Sequence, residues 1–146
     1  MNPRLWEHFA FAAKAAANAV KQGGFMGPLN VVVYQKDSQT AERLAASLSK
    51  HFPAVVLTNC PDEIRPAIAS NSADMLVLDV ESSGTRELEL LHREFPGLSI
   101  VCTHRLANDQ LWTETLNQGA ADLCVPWNTQ DVVRSLTRER ARRIAA

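Results

Sequence analysis

Five short apolar runs, each followed by a segment with helical spacing, constrain this chain more than any other feature of its sequence. The runs are Leu29 to Tyr34, Ala54 to Thr58, Asp74 to Asp79, Ser99 to Thr103 and Asp122 to Val125. Helical stretches follow at about Ser38 to His51, Asp62 to Ser70, Thr85 to Phe95 and Asn108 to Gln118, and a last one runs from Thr129 towards the C-terminus. This alternation predicts an α/β fold, because parallel strands buried on both faces read as continuous apolar runs and each crossover helix covers one face. Right-handed crossovers then give a doubly wound sheet whose functional edge lies at the carboxyl ends of the strands. Leu44, Ala45 and Leu48 line one helix, and Leu88, Leu91 and Phe95 another. Pro66 predicts a short second helix, since a proline beyond the first turn clashes with a preceding carbonyl.

Ahead of the first run, Asn2 to Gln22 reads as a further helix: Asn2 can cap it, Pro3 suits its first position, and Gly23 and Gly24 end it. The chain divides accordingly into residues 1–27, an alanine-rich helix with a hinge, and residues 28–146, one doubly wound domain. Leu5, Trp6, Phe9, Phe11 and Val20 give the first helix apolar surface that the sheet does not need. It is expected to bury that surface against another protein, with pairing of two such helices preferred and docking on its own domain the alternative. Trp6 and Phe9 are therefore interface candidates.

A length of 146 residues suits one domain of ordinary size, and a net charge of −1 gives no bulk attraction to nucleic acid or to an anionic membrane. The C-terminal arginines, Arg134, Arg138, Arg140, Arg142 and Arg143, are expected to favour the carboxyl end of their helix and stay solvated. The alanine-rich start is interrupted by Glu7, Lys14 and Asn18, so it reads neither as a signal peptide nor as a membrane span. Cys60, Cys102 and Cys124 form an odd set without CxxC spacing, which fits a reducing, cytoplasmic setting. His8, His51, His92 and His104 lack the paired spacing of a zinc site. The expectation is no metal and no cofactor.

The third run, "ADMLVLD", ends in Asp79; the fourth, "SIVCTH", ends in Thr103; and "GAADL", from Gly119 to Leu123, leads into the fifth. In this order the three motifs resemble the receiver domains of bacterial response regulators, over roughly Leu29 to Arg138. The resemblance implies a flavodoxin-like five-stranded parallel sheet in the order 2-1-3-4-5 with helices on both faces. It implies that residues 28–146 form the receiver-like domain, that Asp79 holds the phosphoacceptor position and that Thr103 holds the switch-hydroxyl position. The implied setting is two-component signalling, with a histidine kinase or a downstream signalling protein as partner.

This sequence departs from the family where the chemistry is concentrated. Two acidic residues are expected after the first strand to hold magnesium, and here stand Gln35 and Lys36, with Asp37 one step on. An amide beside an ammonium suits magnesium poorly, since that ion takes oxygen ligands in an octahedral shell. The expected lysine before a proline falls in "LCVPWN", where Val125 and Pro126, or Pro126 and Trp127, stand instead. Leu123 replaces the usual aromatic of the fifth strand, so it forms no working switch pair with Thr103, and bulky His104 stands at the access-controlling position. Lys36 has two readings: its ammonium folds over the strand edge beside Asp79, or its side chain runs into solvent.

Phosphoryl transfer depends on cations that neutralise developing charge, and this edge has lost most of them. The reading is an atypical, pseudo-receiver-like domain working by protein–protein interaction without phosphorylation, with a protein partner or a homodimer, no nucleic acid and no membrane. The alternative is a phosphoaccepting receiver that uses Asp79. A small flavodoxin-like enzyme is the weakest reading, because no glycine-rich phosphate loop follows the first strand, and no catalytic residue is assigned. Trp127 is an interface candidate, whereas Trp112, at helical spacing with Leu116, is expected in the core.

Overall fold

The computed structural model describes residues 29–145. The helix expected from Asn2 to Gln22, with Trp6 and Phe9, lies outside the described residues. Strands β1 (Asn30–Tyr34), β2 (Ala54–Thr58), β3 (Met75–Asp79), β4 (Ser99–Thr103) and β5 (Asp122–Cys124) form one sheet in the order β2-β1-β3-β4-β5. Every pairing is parallel, with Val32 opposite both Val56 and Leu76, and Asp79 opposite Thr103. The expected flavodoxin-like order is therefore present.

Helices α1 (Ser38–Leu48), α2 (Ile64–Ser70), α3 (Val80–Ser83), α4 (Thr85–Glu94), α5 (Asp109–Asn117) and α6 (Thr129–Ala145) connect and cover the strands. Side chains alternate across a strand, so neighbouring valines of β1 serve different cores. Val31 and Val33 pack with Leu44 and Leu48 of α1 and with Val132 and Leu136 of α6. Val32 and Tyr34 pack on the other side with Ile64 and Ile68 of α2 and with Leu88 and Leu91 of α4. A fully buried side chain of this size contributes about 1.5–3 kcal/mol, and both faces collect many of them. Cys102 lies in one core and Cys124 in the other, and both are free thiols.

The elements differ from expectation mostly at their ends. A short 3-10 turn, Pro61–Glu63, precedes α2, which places Pro66 in the first turn of the α-helix, where its missing N–H costs nothing. The single turn α3, within a segment the sequence suggests is loop, forms because Asp79 caps it: the carboxylate accepts a hydrogen bond from the Ser82 N–H.

Trp112 is a correction. It is 47% exposed, and its indole N–H donates to Asp122 Oδ1 at 3.1 Å. The buried stripe of α5 runs one residue over, through Leu111 and Thr115, and the buried Thr115 hydroxyl is satisfied by donating to the Leu111 and Trp112 carbonyls. Leucine beside tryptophan at helical spacing left two stripes open; the smaller threonine took the core.

The basic end of α6 is also more engaged than the sequence suggests. The Arg140 guanidinium lies 4.7 Å from the centre of the Phe52 ring and donates to the His51 carbonyl. Arg143 donates to the carbonyls of Asp74 and Gly97, tying the helix to the amino ends of β3 and β4. Arg138 pairs with Asp122, Arg134 with Asp131 and Arg142 with Glu139. All five arginines therefore meet acceptors on their own domain. Among the described residues, no helix is long and apolar enough to cross a membrane.

Gly119, which opens the motif before β5, has φ +114°, and a Cβ placed there would stand 2.4 Å from the His92 ring. His92 can swing away, but the backbone conformation remains unfavourable for any L side chain. Gly119→Ala is expected to lower stability by about 1–2 kcal/mol, read as a lower urea midpoint with an unchanged slope.

Candidate functional site

The carboxyl ends of β1, β3 and β4 converge, and there the chain gathers Gln35, Lys36, Asp79, Glu81, Ser82 and Arg105 around one cleft, with Pro126 on its far wall. Parallel pairing puts Asp79 beside Thr103. Gln35, Asp79, Glu81, Ser82 and Arg105 are each engaged by another part of the same chain.

Gln35 is only 2% exposed, and a buried amide is costly unless it finds a partner. Its Nε2 donates to the Thr103 hydroxyl at 2.8 Å. The bond joins Gln35, which departs from the family pattern, to Thr103, which keeps it.

Asp79 accepts three hydrogen bonds: from the Lys36 N–H at 3.1 Å, from the Ser82 hydroxyl at 2.8 Å and from the Ser82 N–H at 3.2 Å. Lys36 reaches Asp79 through its main chain; its side chain is exposed and forms no ion pair with Asp79. Of the two readings left open for Lys36, the structure shows the one in which the ammonium stays in solvent. Burial, followed by the negative charge of Asp79, pushes the phenol of neighbouring Tyr34 upward, so it remains neutral.

Asp37 and Thr40 also line the cleft. Asp37 caps α1, accepting from the Thr40 N–H at 2.9 Å and the Thr40 hydroxyl at 2.7 Å, and these bonds lower its pKa. The donor set around Asp79 does not fit magnesium: Gln35 turns an N–H group to Thr103, Asp37 is held by Thr40, and Lys36 brings positive charge. Among the described residues no cluster of three or more His, Cys, Asp or Glu side chains is placed to hold a metal.

Two residues absent from the sequence-based candidate set dominate the electrostatics. Glu81 of α3 receives the Arg105 guanidinium through Nε, at 2.8 Å to Oε2, and through Nη2. The Arg105 N–H adds a bond of 3.0 Å to Oε1. Together they form a two-pronged clamp between the loops after β3 and β4. A signal for it was present: Glu81 lies two residues after Asp79 and Arg105 two after Thr103, so once those strand ends are paired the opposite charges fall side by side.

His104 is half-buried. Its Nδ1 accepts the Leu106 N–H at 2.9 Å and stands 3.8 Å from Glu81 Oε1. Trp127, 63% exposed in the loop after β5, keeps its standing as an interface candidate.

The hydrogen bonds of the Arg105 side chain, then of its N–H, hold the Glu81 carboxyl down at about 2, against an ordinary value of 4.5. A lowered folded-state pKa stabilises the fold above the unfolded value and loses that effect as pH falls through the folded one. Urea midpoints should therefore decline between about pH 4.5 and pH 2, and Glu81→Gln should flatten that part of the profile. Because Arg105 is exposed and Glu81 is not buried, salt should weaken the effect.

No protein-family model matches the sequence, and no curated protein matches it. Solved structures do. A response regulator from Thermotoga maritima superimposes with a TM-score of 0.69 at 16% identity, over 76% of this chain and 96% of that one. The BeF3-activated N-terminal receiver domain of RstA from Klebsiella pneumoniae gives 0.64 at 25% identity, over 77% and 96%. A putative pilus assembly protein from Burkholderia thailandensis gives 0.66 at 22%, over 77% and 98%. With the strand order 2-1-3-4-5 and Asp79 and Thr103 paired at the strand ends, this chain has the fold of the response-regulator receiver domains.

Proposed function

We propose that this domain is an atypical receiver of two-component signalling that acts by protein–protein contact, without phosphorylation of Asp79 and without enzymatic activity. The observation that carries this reading is the hydrogen bond from Gln35 to Thr103. It commits the switch hydroxyl to a neutral side chain of the same domain, in the region where metal and phosphoryl group would have to assemble. The binding of Asp79 by Lys36 and Ser82 supports it, since an incoming phosphoryl donor would have to displace those bonds. No ammonium comes from the loop after β5, where Pro126 and Trp127 stand, and the nearby guanidinium of Arg105 is taken up by Glu81. Magnesium has no place in this reading.

The partner is a protein or a second copy of the chain, in the cytoplasm, where three free cysteines would stay reduced. Trp127 is the side chain we assign to that contact, because an exposed tryptophan in a loop supplies a large, stiff apolar anchor. Nucleic acid is a poorer fit, because the arginines of α6 spend their charge on Asp74, Asp122, Asp131 and Glu139.

Intact mass after incubation with acetyl phosphate and magnesium tests the reading: the expected result is no phosphoryl adduct and no saturable change in tryptophan fluorescence on adding magnesium. An adduct that disappears in Asp79→Asn would establish the phosphoaccepting alternative instead. Amide shifts of α5 and α6 should likewise be unmoved by beryllofluoride, given Leu123 at the position of the family's aromatic.

A further inference from the structure

We infer that His104 is a proton-operated latch that sets the conformation of the loop after β4. This inference does not depend on whether Asp79 accepts a phosphoryl group. It rests on two partners that His104 Nδ1 cannot serve in one protonation state. At 2.9 Å, Nδ1 accepts the Leu106 N–H, which requires a bare lone pair and places the ring proton on Nε2. At 3.8 Å lies Glu81 Oε1, which an Nδ1 can approach favourably only as a donor.

The neutral ring closes a turn across two residues, as an Asn or Asp side chain does when it accepts from the N–H two positions on. Adding a proton converts Nδ1 from acceptor to donor, so the Leu106 N–H loses its partner and the imidazolium is drawn towards Glu81. Histidine is the side chain that makes this change between about pH 5 and pH 8. Glu81 remains anionic throughout that range, because Arg105 holds it as a carboxylate.

The charged surroundings balance. From α3, Glu81 favours the imidazolium; from its own loop, Arg105 opposes it; from the end of β3, Asp79 offsets part of the Arg105 charge. From β5, the Cys124 carbonyl accepts the main-chain N–H of His104, while burial keeps the Cys124 thiol neutral. What the proton releases is the loop carrying Leu106, 70% exposed, at the edge that also presents Trp127. The latch would thus change how an apolar side chain is offered at the strand-end edge, without metal or phosphate.

Amide and imidazole nitrogen spectra of the unaltered chain, recorded between about pH 8 and pH 5, decide the matter. The expected result is a neutral His104 with its proton on Nε2, and a Leu106 amide that shifts with the same midpoint as the His104 ring. Exchange protection at Leu106, corrected for the intrinsic effect of pH, should fall about fivefold across that midpoint, as loss of a single hydrogen bond allows. His104→Asn keeps an acceptor that does not titrate, so in this variant the Leu106 signal should stay in place. A Leu106 amide indifferent to the ring's titration, or a shift that persists in His104→Asn, would overturn the latch.

Discussion

The strand-end edge of this domain is governed by the cost of burying polar groups where three parallel strands finish together. β1 and β3 are covered on both faces, so whatever follows their last apolar residue is either expelled to water or must find a partner within the protein. Asp79 is half-exposed and gathers donors from the turn it caps and from the loop after β1. Gln35 is buried and has Thr103 within reach. Parallel register is what makes these partners available: a slip of one residue between β3 and β4 would put Thr103 on the opposite face from Asp79's neighbours and leave the amide unsatisfied.

The Glu81 and Arg105 pair follows from the same register, and it couples the short helix after β3 to the loop after β4. Neither residue is buried, so its contribution to stability is modest and screened by salt. Its larger effect is on shape. A guanidinium held by two of its nitrogens restricts the short helix and the loop to one separation, and His104 Nδ1 stays bonded to the Leu106 N–H with Glu81 at 3.8 Å.

The fold was largely legible from the sequence because its five apolar runs are short, continuous and evenly interleaved with amphipathic segments, a pattern that few architectures satisfy. The positions of Asp79, Thr103 and Gln35 were legible for the same reason, as the last residues of runs or the first beyond them. What Gln35 does was not, because an amide can donate or accept in many directions and only the packed backbone selects Thr103. Trp112 was misread because Leu111, Trp112, Thr115 and Leu116 offer two overlapping helical stripes, and the core took the one through Leu111 and Thr115. The tertiary contacts of Arg140 and Arg143 span tens of residues and leave no local trace.

The sheet order carries a consequence for how the polypeptide reaches this state. β1 occupies an interior position in the sheet, flanked by β2 and β3, yet it is the earliest of the strands to leave a ribosome. Its Val31, Val32 and Val33 have a lateral neighbour on one side once β2 emerges, but the other side waits for β3; the Asn30 N–H and the Asp74 carboxylate it meets lie 44 positions apart. Until that second neighbour arrives, an apolar strand keeps an open edge, the circumstance in which nascent chains pair with one another or recruit chaperones. The interval between the emergence of β2 and that of β3 therefore carries an aggregation hazard, and β3 inherits it until β4 emerges. A pause in translation that leaves β2 outside the ribosome and β3 still inside would prolong the exposure of the open edge of β1.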